Sequence, residues 1–192
     1  MIETEKFTKI EIDSSKQLRD WLEVNHLQSE SIWLITYKKS VPEKYVSTSE
    51  VLDELLCFGW IDGIRRKLDE RRTMQLISPR RVNHWAKTYK ERVERLIREG
   101  KMQASGLRTI EIAKRSGLWD LMDDVDKLIL PPDLLKALSK NENAFNFFTS
   151  INESSKRFVL RWIKLAKTEK TRKSRIEKIV QLSIKGQKLE GS

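Results

Sequence analysis

The chain has 192 residues and carries 38 Lys and Arg against 28 Asp and Glu, a formal net charge of +10 at pH 7. A lone cysteine excludes an internal disulfide framework and a thiolate metal centre, and no apolar run approaches the roughly 18 residues that a membrane span requires. With six Trp and six Phe to bury, the composition describes a packed, soluble, basic protein, expected in the cytoplasm and without a leader peptide. The charge is uneven: residues 1–60 hold 7 basic and 11 acidic side chains, whereas residues 61–192 hold 31 and 17. A positive surface attracts phosphates, nucleic acid or anionic lipid through its long-range field, and it also keeps a lysine-rich protein dispersed.

In chain order, Ser14-Ser15-Lys16-Gln17 has the form of a capping box, and Leu18, Trp21 and Leu22 follow on one face of a helix ending near Asn25. Ile32-Trp33-Leu34-Ile35-Thr36-Tyr37 is β-branched and aromatic and is closed by Lys38-Lys39 and Pro42, which predicts a strand buried on at least one face. Ser47-Thr48-Ser49-Glu50 is a second capping box, followed by Val51, Leu52, Leu55, Leu56 and Phe58 at helical steps and by Gly59 as a stop. Trp60-Ile61-Asp62-Gly63 reads as a turn. Two short runs around Asp69-Glu70 then read as a hairpin ended by Ser78-Pro79.

From Asn83 onward the pattern is helical. Thr88-Tyr89-Lys90-Glu91 resembles a third capping box before Val93, Leu96 and Ile97, with Gly100 as the stop, and Ser105 is placed to cap a helix running to Gly117. Asp120, Asp123, Asp124 and Asp126 lack the glycine and glutamate of a calcium loop and read as solvated charge. Pro131-Pro132-Asp133 opens another helix. The last 40 residues predict a helical hairpin with Phe158, Trp162 and Leu165 on one stripe and Ile176, Ile179, Val180 and Ile184 on the other, broken at Thr168 and ended at Gly186. Between the stripes lie lysines and arginines suited either to a phosphate backbone or to water. The expected fold is α+β and predominantly helical, with a small antiparallel sheet of about three strands and a basic C-terminal helical hairpin. The expected division is an α+β core domain over residues 1–130 and a helical segment over residues 131–192.

The chemistry-bearing residues are few. Cys57 lies beside Phe58 on an apolar helix, where a small buried thiol packs well. No Ser/His/Asp order, phosphate-cradling glycine loop or metal-ligand cluster is present, so no cofactor and no metal are expected and nothing positive argues for an enzyme. The candidate ligand-binding set is Lys38, Lys39, Trp60, Asp62, Arg80, Arg81, His84 and Trp85. If the ends of their elements meet on one rim, guanidinium forks and indole faces there would take an anionic or aromatic ligand. The competing structural reading makes Asp62 the partner of an arginine and both tryptophans core residues.

Three groups of motifs resemble the bacteriocin-protection family, also called YdeI/OmpD-associated. They are Cys57-Phe58-Gly59-Trp60-Ile61-Asp62-Gly63, then Ser78-Pro79-Arg80-Arg81 with Trp85 four residues on, then Gly100-Lys101-Met102 with Gly106 and Gly117-Leu118-Trp119. Lys167, Thr171-Arg172 and Arg175-Ile176 are similar to that family's closing basic helix. The resemblance runs from about Trp33 to Trp119 and from about Phe158 to Ile184. His84 and Ala86 stand where the family commonly has serines, and Tyr89 stands where it has asparagine.

The resemblance implies protection against antimicrobial peptides, with no established reaction, in a cytoplasmic bacterial protein. The leading expectation is a non-enzymatic bacteriocin-protection-type binding protein with an anionic or aromatic ligand or peptide partner. The alternative is nucleic-acid binding through the basic C-terminal half, with affinity falling steeply with salt. A third is an enzyme on a small substrate with Asp62 or His84 as acid or base.

Overall fold

The computed structural model describes residues 6–81 and 83–191 and divides the chain into two compact units, residues 1–120 and 121–192. The division falls ten residues ahead of the expected boundary at 130, because Met122 and Val125 belong to the second apolar core.

The first unit contains β1 (Lys9–Glu11), α1 (Ser15–Asn25), β2 (Ile32–Tyr37), α2 (Thr48–Cys57), β3 (Trp60–Lys67), β4 (Arg72–Pro79), α3 (Lys87–Arg98) and α4 (Ala104–Arg115). Its sheet has the order β1-β2-β4-β3; β1 runs parallel to β2, and both other pairs are antiparallel. The sheet is therefore mixed and has four strands among the described residues, one more than expected. β1 escapes sequence reading because three residues of pattern Lys-Ile-Glu carry too little alternation to distinguish a strand from a loop.

The expected caps recur where their side chains reach the backbone. Ser14 Oγ accepts from Gln17 N, and at Ser47 both halves of the capping box are made. Thr88 makes no such cap: α3 begins one residue earlier, and its N-cap Ala86 contributes no side-chain hydrogen bond. α4 likewise starts at Ala104, just ahead of the expected cap at Ser105.

Apolar residues at the predicted helical spacings converge on one core. Leu18 and Leu22 of α1, Leu55 and Leu56 of α2, and Val93 and Leu96 of α3 pack with Ile32 and Leu34 of β2, Ile77 of β4, Trp60 and Trp85. Burying each leucine contributes about 1.5–3 kcal/mol, so these contacts dominate the unit's stability. Trp60-Ile61-Asp62-Gly63, expected as a turn, is the beginning of β3. A bulge between Asp62 and Arg65 interrupts the ladder there, placing Asp62 opposite Ile77 and Arg65 opposite Gln75.

The second unit is helical: α5 (Asp123–Asp126), α6 (Pro132–Leu138), α7 (Glu142–Ser150), α8 (Glu153–Lys164) and α9 (Glu169–Ile184). Thr168 caps α9 and Gly186 follows it with φ +64°, as expected. α7 was not anticipated, although Asn141 caps it and Ala144 and Phe148 are its buried i, i+4 pair. The α8 stripe is also corrected. Phe158 and Leu165 are 38% and 41% exposed, and the buried face is Val159, Leu160 and Ile163. Two overlapping stripes compete in Phe-Val-Leu-Arg-Trp-Ile, and the aliphatic one fits the core.

Candidate functional site

The site lies in the first unit, at the end of β4, in the loop that follows, and on α3 and α4. Two glycines put these elements in contact. The chain leaves α2 through Gly59, whose φ of +76° is a left-handed conformation that residues with a Cβ avoid. Gly106 opens α4 at backbone contact with α2: a Cβ there would stand 2.3 Å from the Cys57 carbonyl oxygen. α4 is thereby held beside Arg80, whose backbone N–H donates to the Gly59 carbonyl at 2.8 Å.

The Arg80 guanidinium lies over two aromatic rings, its Cζ 3.9 Å from the Trp85 centroid and 5.5 Å from that of Tyr89. Nη2 donates to the His84 carbonyl at 2.9 Å. Nε and Nη1 are enclosed and have no hydrogen-bond partner among the described residues. Burial pulls the Arg80 pKa below the usual arginine range, opposed by the nearby Tyr89 and Asp62. Beside this group is a pocket of about 30 Å³, lined by Arg80, Arg81, Asn83 and Trp85 and by Thr109, Ile112 and Ala113 of α4. One water needs roughly 10–15 Å³, so the pocket admits a group of only a few atoms.

Asp62, on β3 just ahead of the bulge, accepts from Gln75 Nε2 at 3.2 Å and from the Tyr89 hydroxyl at 3.1 Å. Burial, and then the charge of Asp62, raise the Tyr89 pKa and keep the phenol neutral. Behind Arg80, Trp85 packs on Trp119 with centroids 5.2 Å apart. The Lys90 and Lys114 ammonium groups lie 5.5 and 5.2 Å from the Trp119 ring.

Of the eight expected site residues, Asp62, Arg80, Arg81, His84 and Trp85 come together. His84 contributes through its main chain, its carbonyl accepting from Arg80 and its N–H donating to Asn83 Oδ1. Trp60 is fully buried; its indole N–H donates to the His26 carbonyl at 3.0 Å, and its ring makes an edge contact with Trp21. With Trp85 only 1% exposed as well, neither indole offers a free face, so these rings support the site from within.

Lys38 and Lys39 are elsewhere. Tyr37 pairs with Arg72 and Ile32 with Ile77, so Lys38 sits at the hairpin-turn end of the sheet, with its Nζ on the Asp69 carbonyl at 2.7 Å. Asp62 pairs with Ile77 at the other end, roughly 17 Å away at about 3.3 Å per strand residue. Antiparallel pairing of β2 with β4 separates what a single rim would have joined.

Tyr89, Gln75, Asn83 and Thr109 were missed as site residues. Tyr89 and Asp62 are 27 residues apart, a separation with no local signal. The glycine inside α4 was the one available pointer to a close backbone approach.

In the second unit, much of the expected basic face is already engaged. Arg157 pairs with Glu153, Lys164 with Asp124, and Arg172 with both oxygens of Asp133 at 2.7 and 2.9 Å. Arg175 donates to the Trp162 carbonyl and lies 4.9 Å from the centroid of that ring. Among the described residues no group of three His, Cys, Asp or Glu is placed to hold a metal ion, and no helix is long and apolar enough to cross a membrane.

No match was found among curated proteins or among solved structures. Two family models match. Residues 10–109 match the family described as "Domain of unknown function (DUF8412)", and residues 127–186 match "Bacteriocin-protection, YdeI or OmpD-Associated". The resemblance read from Phe158 to Ile184 lies within the second match, whereas most of the motifs from Trp33 onward lie within the first. The first match alone covers more than half of the 192 residues, so the chain belongs to the DUF8412 family, and residues 127–186 are similar to the bacteriocin-protection (YdeI or OmpD-associated) family.

Proposed function

We propose that the protein is a non-enzymatic binding protein of the bacteriocin-protection type that takes an anionic group at Arg80. The supporting observation is the Arg80 guanidinium, which lines a small pocket with Arg81 and whose Nε and Nη1 have no acceptor among the described residues. Arg80 lines that pocket together with Arg81, and two cationic side chains on one wall attract an anion there. The match over residues 127–186 supports the protective role at the family level. The enclosed indoles favour an anionic ligand over an aromatic one.

The test is thermal unfolding of the wild type and Arg80→Met in a series of small anions at fixed ionic strength. A ligand bound only by the native state raises the transition temperature with its concentration. The expected result is a saturable rise in the wild type that Arg80→Met lacks; equal responses of the two proteins would contradict the reading. In parallel, cells producing Arg80→Met should survive an antimicrobial-peptide challenge less well than cells producing the wild type.

A further inference from the structure

We infer that the free edge of β3 takes an extended acidic peptide segment of another protein as an added strand. The inference goes beyond the Arg80 reading and does not depend on it. β3 is the terminal strand of the order β1-β2-β4-β3, so its outer side presents main-chain N–H and C=O groups to no strand among the described residues. Gly63, Ile64, Arg65, Arg66 and Lys67 are all exposed. The bulge lies at the start of this run, and residues 65–67 pair regularly with β4.

Charge chooses the occupant. Residues 63–67 hold three consecutive cations and no carboxylate. Successive side chains of a strand point to opposite faces, and the contacts here follow that rule. On one face, Arg65 Nη2 donates to Thr73 Oγ1 at 2.9 Å and to Thr36 Oγ1 at 3.4 Å. On the other, the Arg66 guanidinium carbon lies 5.4 Å from the centroid of the Trp33 ring. Hydroxyls and an indole thus position the two guanidinium groups without neutralising them. Lys67 pairs with Glu70 in an exposed contact that a competing carboxylate replaces at little cost.

A strand added in the plane of the sheet sends its own side chains to both faces, so two adjacent acidic residues meet Arg65 and Arg66 together. A phosphate backbone lies along one face and reaches only one of the two, which sets a peptide ahead of a nucleic acid. The same cations repel a second copy of β3 and any basic peptide, so the edge is closed to those strands and open to acidic ones.

The test is fluorescence anisotropy of the labelled peptide Val-Glu-Glu-Val-Glu-Glu titrated with the full chain, joined to backbone amide hydrogen exchange of residues 63–67. One control peptide is N-methylated at two adjacent central residues, which removes an N–H from each edge of the strand and keeps the charge. A second has lysine in place of every glutamate, and a short oligothymidylate is the third probe. The acidic peptide is expected to bind saturably and to slow exchange within residues 63–67, with each control and the double variant Arg65→Glu/Arg66→Glu at least about tenfold weaker. No binding of the acidic peptide would overturn the inference. Equal binding of the N-methylated peptide would reduce the contact to charge attraction and overturn it as well. Oligothymidylate held as tightly as the peptide would assign the cations to nucleic acid, and exchange already slowed in a dimer of the free chain would assign the edge to a second copy; either result contradicts the proposal. The peptide controls need no variant, so they decide the question even if the double variant fails to fold.

Discussion

Arg80 and Trp85 are stacked, the guanidinium carbon 3.9 Å from the indole centroid, while two of the three guanidinium nitrogens have no hydrogen-bond acceptor among the described residues. A half-buried cation over an indole gains about 1–2 kcal/mol from the ring's quadrupole. The ring therefore holds in place a half-buried charge that hydrogen bonding leaves partly unsatisfied. A purely structural arginine would be expected to spend its donors on protein acceptors, as Arg172 does on Asp133.

This arrangement has a consequence for stability. Arg80→Met removes the stacking and the bond to the His84 carbonyl but also removes the unpaired buried donors. The opposing terms leave the unfolding free energy within about 1 kcal/mol of the wild type, measured by urea denaturation. A loss above roughly 3 kcal/mol would identify Arg80 as structural.

Trp85→Ala should behave in the opposite way. The indole is 1% exposed and sits between Arg80 and Trp119, so its removal leaves a cavity and costs about 3–5 kcal/mol. The same urea titration, run beside Arg80→Met, separates a residue that holds the site from one that serves it.

The glycines make a second pair of contrasts. Gly106→Ala drives a methyl group to 2.3 Å from the Cys57 carbonyl and should cost about 3 kcal/mol or more, because two backbones must part. Gly117→Ala meets nothing within 4 Å and suffers only from φ +72°, about 1–2 kcal/mol. Thermal denaturation of the two variants ranks them, and Gly106→Ala should also disturb the Arg80 pocket, since Thr109 and Ala113 ride on the same helix.

Much of this fold was legible where the signal is local. β2 has the bounds read from its β-branched run, and the caps at Ser14, Ser47 and Thr168 lie where short polar side chains precede apolar periodicity. The site was only half legible. Arg80, Arg81, His84 and Trp85 are adjacent in sequence, and Asp62 stood out as a charge in an aromatic context. Tyr89 and Thr109 reach the site only through packing of α3 and α4. Lys38 was misplaced because sequence gives strand existence more readily than strand partner. The α8 stripe failed for a different reason: two apolar faces overlapped, and tertiary packing chose between them.

Alkaline pH should weaken the first unit. Burial, with a smaller contribution from Glu54, pushes the Cys57 thiol up to about 11, and burial raises Tyr89 as well. Both groups are neutral when protonated, so their contribution is full below the unfolded values of about 8.5 for a thiol and 10 for a phenol. It is lost as pH rises through the folded values. Consistent with this, Cys57 should resist a thiol reagent at pH 8 in the native protein and react at once in urea. Rapid labelling of the native state would contradict its burial.

The most direct test of an anion site at Arg80 is anomalous diffraction from a crystal of the protein soaked in bromide, a monoanion. A bromide peak is expected in the pocket lined by Arg80 and Arg81, and it should be absent from Arg80→Met crystals. Bromide found only at exposed lysines, with the Arg80 pocket empty at the same soak concentration, would contradict it.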